Sequence, residues 1–185
     1  PLHTNCFHSL FMHMPGMTVV APMTPNEYEL IWKHYLKNDD PMLVSEHRDS
    51  YTRSDELEDR IVDDAQISIF AISASRYSAV EAVERLAAEG VAVNLLHVTW
   101  LKPFQVSERA KAALKSSGCG LVVDSAFEIC GASQSIAYNL MLESGCPVRA
   151  VGMHDRSSGV AKHLENHTPS ASRIVEEVRE LLGNE

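Results

Sequence analysis

Residues 66–97 read QISIFAISASRYSAVEAVERLAAEGVAVNLLH, and the change of period inside this stretch decides the fold. Gln66–Ile72 is an apolar, β-branched run of strand length. Arg76–Glu89, entered through Ser75, places its apolar residues at helical spacing. Gly90 follows, where a left-handed residue ends a helix. Ala92–His97 then reads as a second strand. Strand, helix and strand joined by short connections imply a parallel pair with the helix as crossover.

The same alternation continues toward the carboxy terminus. Gly120–Asp124 and Pro147–Val151 are predicted strands. Val106–Ser116, Ala132–Ser144 and Pro169–Leu182 are predicted helices, and Gly118, Gly145 and Gly183 stand after their ends. The expected fold class is α/β, a mostly parallel sheet with helices on both faces. In the last helix Thr168 is the expected N-cap and Pro169 the first helical residue. Ile174, Val175, Val178, Leu181 and Leu182 form its buried stripe, and Glu176, Glu177 and Glu180 face outward.

Toward the amino terminus the character changes. Residues 52–65 are crowded with charge and carry little apolar content, which predicts a linker and a domain boundary near residue 60. Upstream, Met17–Ala21 reads as a strand. Thr24, Pro25 and Glu27 make a capping box with proline at the first helical position. Tyr28, Ile31, Trp32, Tyr35 and Leu36 follow at the spacing of one buried helix face. Residues 37–41 stop that helix, and Met42–Ser45 is the next strand.

Composition narrows the function. The chain has 185 residues, 45% hydrophobic and 22% charged, as expected of a globular protein rather than a disordered or collagen-like one. Sixteen basic against twenty-five acidic residues leave a formal charge of −9. That opposes binding to nucleic acid or an anionic membrane. No apolar run approaches the roughly 20 residues that span a bilayer, and no signal-peptide pattern opens the sequence. The four cysteines, Cys6, Cys119, Cys130 and Cys146, form no C-x-x-C pair. They read as small thiols suited to a reducing, cytoplasmic setting.

Several familiar motifs are absent. His3, His8 and His13 recur every five residues and share no helix face. His163 and His167 lack the H-E-x-x-H order, and no G-x-S-x-G surrounds Ser125 or Ser133. Neither G-x-G-x-x-G nor a P-loop occurs.

One segment carries more. It runs His3, then His13-Met14-Pro15-Gly16-Met17-Thr18-Val19-Val20-Ala21-Pro22-Met23-Thr24-Pro25, then Asn38-Asp39-Asp40-Pro41, then Glu46-His47-Arg48-Asp49-Ser50-Tyr51. Its order and spacing resemble the beta subunit of thiamine-diphosphate-dependent 2-oxo acid dehydrogenases, the pyruvate and branched-chain enzymes. Ile67–Ser73, Leu101-Lys102-Pro103-Phe104 and Leu121-Val122-Val123-Asp124 resemble landmarks of the transketolase carboxy-terminal domain. The resemblance implies that residues 1–60 are the end of a pyrimidine-binding domain plus linker, and 61–185 a transketolase carboxy-terminal domain. It also implies that the family's cofactor-protonating glutamate lies upstream of Pro1, and that the G-D-G…N-N metal-diphosphate motif belongs to an alpha subunit. Asp49-Ser50 departs from the family's apolar residue before Tyr51.

The resemblance assigns roles by position. His3 aligns with a channel histidine, an acid–base group for the 2-oxo acid. Tyr35, Asn38 and Asp40 align with a helix end whose main-chain carbonyls bind a monovalent cation such as potassium. Glu46, His47 and Arg48 read either as site contacts or as an ion-pair cluster. Asp124, Glu128 and Gly131 form a loop at a carboxyl strand edge, where open α/β sheets keep ligands. Thiamine diphosphate and magnesium are expected in the intact assembly only. The implied partners are the alpha subunit, a second beta subunit and the acyltransferase's basic subunit-binding domain, docked by Glu180 and Glu185. Two other readings stay open: a non-catalytic dimerisation and docking module, and part of a split transketolase acting on sugar phosphates.

Overall fold

The computed structural model describes residues 5–183. His3 and Glu185, assigned above to the substrate channel and to partner docking, lie outside the described residues.

Two sheets organise the chain. The larger has four parallel strands in the order β4-β3-β6-β7: β3 Ile67–Ile72, β4 Val93–Val98, β6 Gly120–Phe127 and β7 Val148–Met153. Its crossovers are α3 Ser75–Ala88, α4 Glu108–Ser117 and α5 Ala132–Ser144, and α6 Ala171–Leu182 ends the fold. Successive strand residues point to opposite faces. Ile67, Ile69 and Ala71 pack with Ala82, Leu86, Ile174 and Val178 of α3 and α6. Phe70 and Ile72 pack with Leu114, Ile136 and Leu140 of α4 and α5. The expected α/β sandwich is therefore present.

The smaller sheet is β2-β1-β5, built from β1 Thr18–Val20, β2 Met42–Val44 and β5 Trp100–Lys102. β1 and β2 are parallel, joined through α2 Pro25–Tyr35, while β5 pairs antiparallel with β1. The strand that completes this sheet thus comes from beyond residue 60. Val19, Ala21 and Leu101 join the same core as Phe70 and Ile72, so one apolar layer runs under both sheets.

Three local expectations are corrected. The α2 stripe is not a buried face: Ile31 is covered, but Trp32 is 59% exposed and Leu36 66%, with Tyr35 and Leu30 also exposed. Only one side of α2 meets the β-layer. α6 starts at Ala171, not Pro169, because the Ser170 hydroxyl accepts the Arg173 N–H and takes the N-cap role expected of Thr168. Ser75 is the first helical residue of α3 rather than its cap. Its hydroxyl donates to the Ile72 carbonyl at 2.6 Å, with the Val123 carbonyl 2.8 Å from the same oxygen, and so pins α3 to the ends of two strands.

Candidate functional site

The short helix α1, His8–Met12, carries the first component. Five residues are too few to hold a helix on their own, and long-range contacts fix it. Lys102 of β5 donates to the Met12 and Met14 carbonyls at the helix end, a cation where unsatisfied carbonyls gather. Ser9 Oγ accepts the Ala132 N–H at the start of α5. α1 is therefore held against the carboxyl end of the parallel sheet.

The second component comes from β6. Its register against β7 shifts between Val123 and Phe127. A Cβ on Gly152 would lie 2.7 Å from the Ala126 carbonyl oxygen, so glycine allows the strands to stay close through this irregularity. Asp124 sits at its start, and Oδ1 accepts the Ala126 N–H.

The two components meet. His8 Nε2 lies 2.9 Å from Asp124 Oδ2, and both side chains are fully buried. On the other ring nitrogen, Cys6 Sγ stands 3.1 Å and Ser45 Oγ 3.4 Å from His8 Nδ1. Burial pulls the imidazole toward neutrality, but the Asp124 charge and hydrogen bond, with help from Cys6, outweigh it and raise His8 to about 10. Burial pushes the Cys6 thiol up, and hydrogen bonding and charge from His8 overcome this to hold it below its ordinary value. The arrangement is carboxylate, imidazolium and activated thiol in line.

Cys6 and Ser45 open onto a cavity of about 690 Å³, which Ser73, Ser125, Met153 and His167 also line. Ser73, Ser125 and Met153 mark the carboxyl ends of β3, β6 and β7, the edge where open α/β sheets keep ligands. Glu46, His47 and Arg48 form another wall. Tyr51 donates to Glu46 Oε2 at 3.2 Å, and His47 Nδ1 accepts the Asp49 N–H.

A second buried polar cluster joins the two sheets. Arg76 Nη1 donates to Glu27 Oε2 at 2.8 Å, and the Thr99 hydroxyl donates to Glu27 Oε1 at 2.5 Å. Glu27 also accepts the Met23 and Thr24 N–H groups, the capping role expected of it. Burial raises its carboxyl, and Arg76 with these donors more than reverses that. His97 lies nearby; burial, then the Arg76 charge, lowers it to about 4.

The remaining sequence-predicted residues separate. Tyr35, Asn38 and Asp40 do come together around a cavity of about 730 Å³ beside Trp32. There the Asn38 N–H donates to the Tyr35 carbonyl and Asn38 Nδ2 to the His34 carbonyl. Glu180 accepts from Arg149 at 3.0 Å, and Glu177 shares that guanidinium, so the acidic side of α6 is laced with cations. Glu128 Oε2 accepts the Gly152 N–H and lies 3.7 Å from Arg173, a structural use of that loop. Among the described residues, no group of three or more His, Cys, Asp or Glu could hold a metal ion.

His8 escaped the sequence reading because a five-residue helix leaves no period. The available signal was Asp124, a carboxylate closing the apolar run Leu121-Val122-Val123. A charge in that position needs a buried partner.

The family model described as "Transketolase, C-terminal domain" matches residues 59–174. The beta subunit of an acetoin:2,6-dichlorophenolindophenol oxidoreductase from Cupriavidus necator is 27% identical over 90% of this chain and 50% of its own. A 6-deoxy-6-sulfo-D-fructose transketolase subunit from Clostridium sp. is 26% identical over 80% of this chain and 48% of its own. The pyruvate dehydrogenase E1 component subunit beta of Chlorokybus atmophyticus is 25% identical over 62% and 37%. The chain thus spans about half the length, or less, of the curated relatives it matches. A solved split-gene transketolase, an inactive beta4 tetramer, superposes with a TM-score of 0.75 at 21% identity, covering 98% of this chain and 62% of that one. It shares the fold.

Proposed function

Because the chain belongs to the transketolase C-terminal domain family, we propose that it is part of the beta subunit of a thiamine-diphosphate-dependent 2-oxo acid dehydrogenase. The reaction is oxidative decarboxylation with acyl transfer to a lipoyl group. This portion serves subunit assembly and one side of the active site. The observation that carries the reading is the reach of the likeness: a relative named as a beta subunit aligns along 90% of the chain.

Thiamine diphosphate, when bound, supplies the carbanion chemistry. The residues of this chain contribute position and contact. His3 is the acid–base group of the substrate channel. Tyr35, Asn38 and Asp40 offer main-chain carbonyls to a monovalent cation, and their convergence on one cavity supports this. The exposed apolar side of α2, with Leu30, Trp32, Tyr35 and Leu36, is surface for an alpha subunit or a second beta subunit. Glu180 and Glu185 are assigned to docking of the acyltransferase's basic domain. The division near residue 60 into the end of a pyrimidine-binding domain and a carboxy-terminal domain belongs to the same reading, supported by a family match that begins at residue 59. No described helix is long and apolar enough to cross a membrane; a cytoplasmic setting is part of the proposal.

A second reading, a transketolase subunit acting on sugar phosphates, is favoured by the Clostridium relative. Calorimetric titration tests the half-site character common to both. Residues 1–185 alone should not take up thiamine diphosphate and magnesium tightly, whereas the full-length protein with its alpha partner should. A low-micromolar Kd for this stretch alone would overturn it.

A further inference from the structure

The buried line Cys6–His8–Asp124 plays no part in the reading above and carries a separate inference. Three observations converge on it. Cys6 Sγ, His8 Nδ1, His8 Nε2 and Asp124 Oδ2 follow one another at 3.1 Å and 2.9 Å across the ring, the order of nucleophile, base and orienting carboxylate. Cys6 is only half-buried and lines the cavity of about 690 Å³ at the carboxyl strand edge. Ser125, 4% exposed and part of the same cavity's lining, buries a hydroxyl that finds no hydrogen-bond partner among the described residues. Such a group is costly inside a fold and suits a small polar molecule in the cavity.

The geometry points to Cys6 as a reactive thiolate, a modification site for small hydroperoxides that enter from this cavity. The sulfur attacks one peroxide oxygen, so an S–O bond forms as the O–O bond breaks. Cys6 is oxidised by two electrons to sulfenic acid, and the hydroperoxide is reduced to an alcohol or, from hydrogen peroxide, to water. The departing oxygen takes the proton from His8 Nδ1, and Asp124 holds the ring in place while the charge leaves it. Thiolate character and access together select which cysteine oxidises. Cys130 is more exposed, but among the described residues no side chain hydrogen-bonds its thiol; only its backbone N–H is engaged, by Gln134 Oε1.

The test is site-resolved. The full-length protein is treated with hydrogen peroxide and dimedone, and adducts at each cysteine are followed by peptide mass spectrometry. Cys6 should be labelled at least tenfold faster than Cys130 in the same folded molecules, a comparison that needs no variant. His8→Gln should slow Cys6 at least tenfold and leave Cys130 unchanged; if that variant does not fold, Asp124→Asn replaces it. Labelling of Cys6 no faster than Cys130, or unaffected in a folded variant, would overturn the assignment.

Discussion

Arg76 Nη1 donates to Glu27 Oε2 across 2.8 Å, with the arginine side chain fully buried. The pair ties the opening turn of α3, on the four-stranded sheet, to the capping turn of α2, on the three-stranded one. Thr99, just before β5, joins through the other carboxylate oxygen. The two sheets are thereby joined by ionic contacts as well as by a shared apolar layer.

Removing one partner strands the other charge. Glu27→Gln should cost about 3–5 kcal/mol of unfolding free energy, as for other broken buried pairs. The double variant Glu27→Gln, Arg76→Met should recover part of that loss. Urea denaturation at pH 7 measures both. The Glu27 carboxyl is held below its ordinary value, so its stabilisation is present above the unfolded value and is lost as pH falls through the folded one.

His8 gives the opposite sign. Its folded value of about 10 exceeds the unfolded value of about 6.5. Its stabilisation is complete below that unfolded value and disappears as pH rises through the folded one. Cys6, shifted downward, runs the other way and offsets the trend. Cys6→Ser isolates the histidine. In that variant Asp124 alone holds the ring's value up, so stability should still decline as pH rises above about 6.5, over a window that closes below about 10, and adding His8→Gln should flatten the curve. A flat curve in Cys6→Ser alone would show that the ring is not held charged.

These clusters mark where the sequence stopped being informative. β3, α3, β4 and α5 were legible because each repeats its own period over a full element, and glycines punctuate their ends. α2 was legible as a helix from its capping box. Its stripe was misread because periodicity reports an apolar side, not what covers it. β5 was missed: three residues, Trp100–Lys102, are too short to show alternation, and antiparallel pairing with β1 is a property of the folded chain. His8 and Asp124 stand 116 positions apart, and no local pattern encodes such a meeting.

The misread stripe makes its own prediction. Trp32→Ser with Leu36→Ser should leave stability within about 0.5 kcal/mol, as exposed substitutions do, but weaken assembly with alpha or beta subunits at least tenfold. Sedimentation velocity against denaturation separates the two effects. Unchanged assembly would place the interface elsewhere.

The acidic side of α6 predicts a salt effect. Binding of the assembled enzyme to the acyltransferase's subunit-binding domain should weaken as ionic strength rises, and again when Glu180 and Glu185 are neutralised together. Arg149 keeps Glu177 as a partner, so the fold should tolerate the change. Affinity indifferent to both would assign docking to another surface.

The reaction itself is open to measurement. The direct measurement is carbon dioxide release from pyruvate and branched-chain 2-oxo acids by the full-length protein with its alpha partner, thiamine diphosphate and magnesium, run beside an assay for ketol transfer between sugar phosphates. The assembled enzyme should decarboxylate at least one 2-oxo acid, lose about 10²–10⁴-fold in His3→Ala, and show no ketol transfer, as a 2-oxo acid dehydrogenase would. Ketol transfer without 2-oxo acid decarboxylation would contradict that assignment.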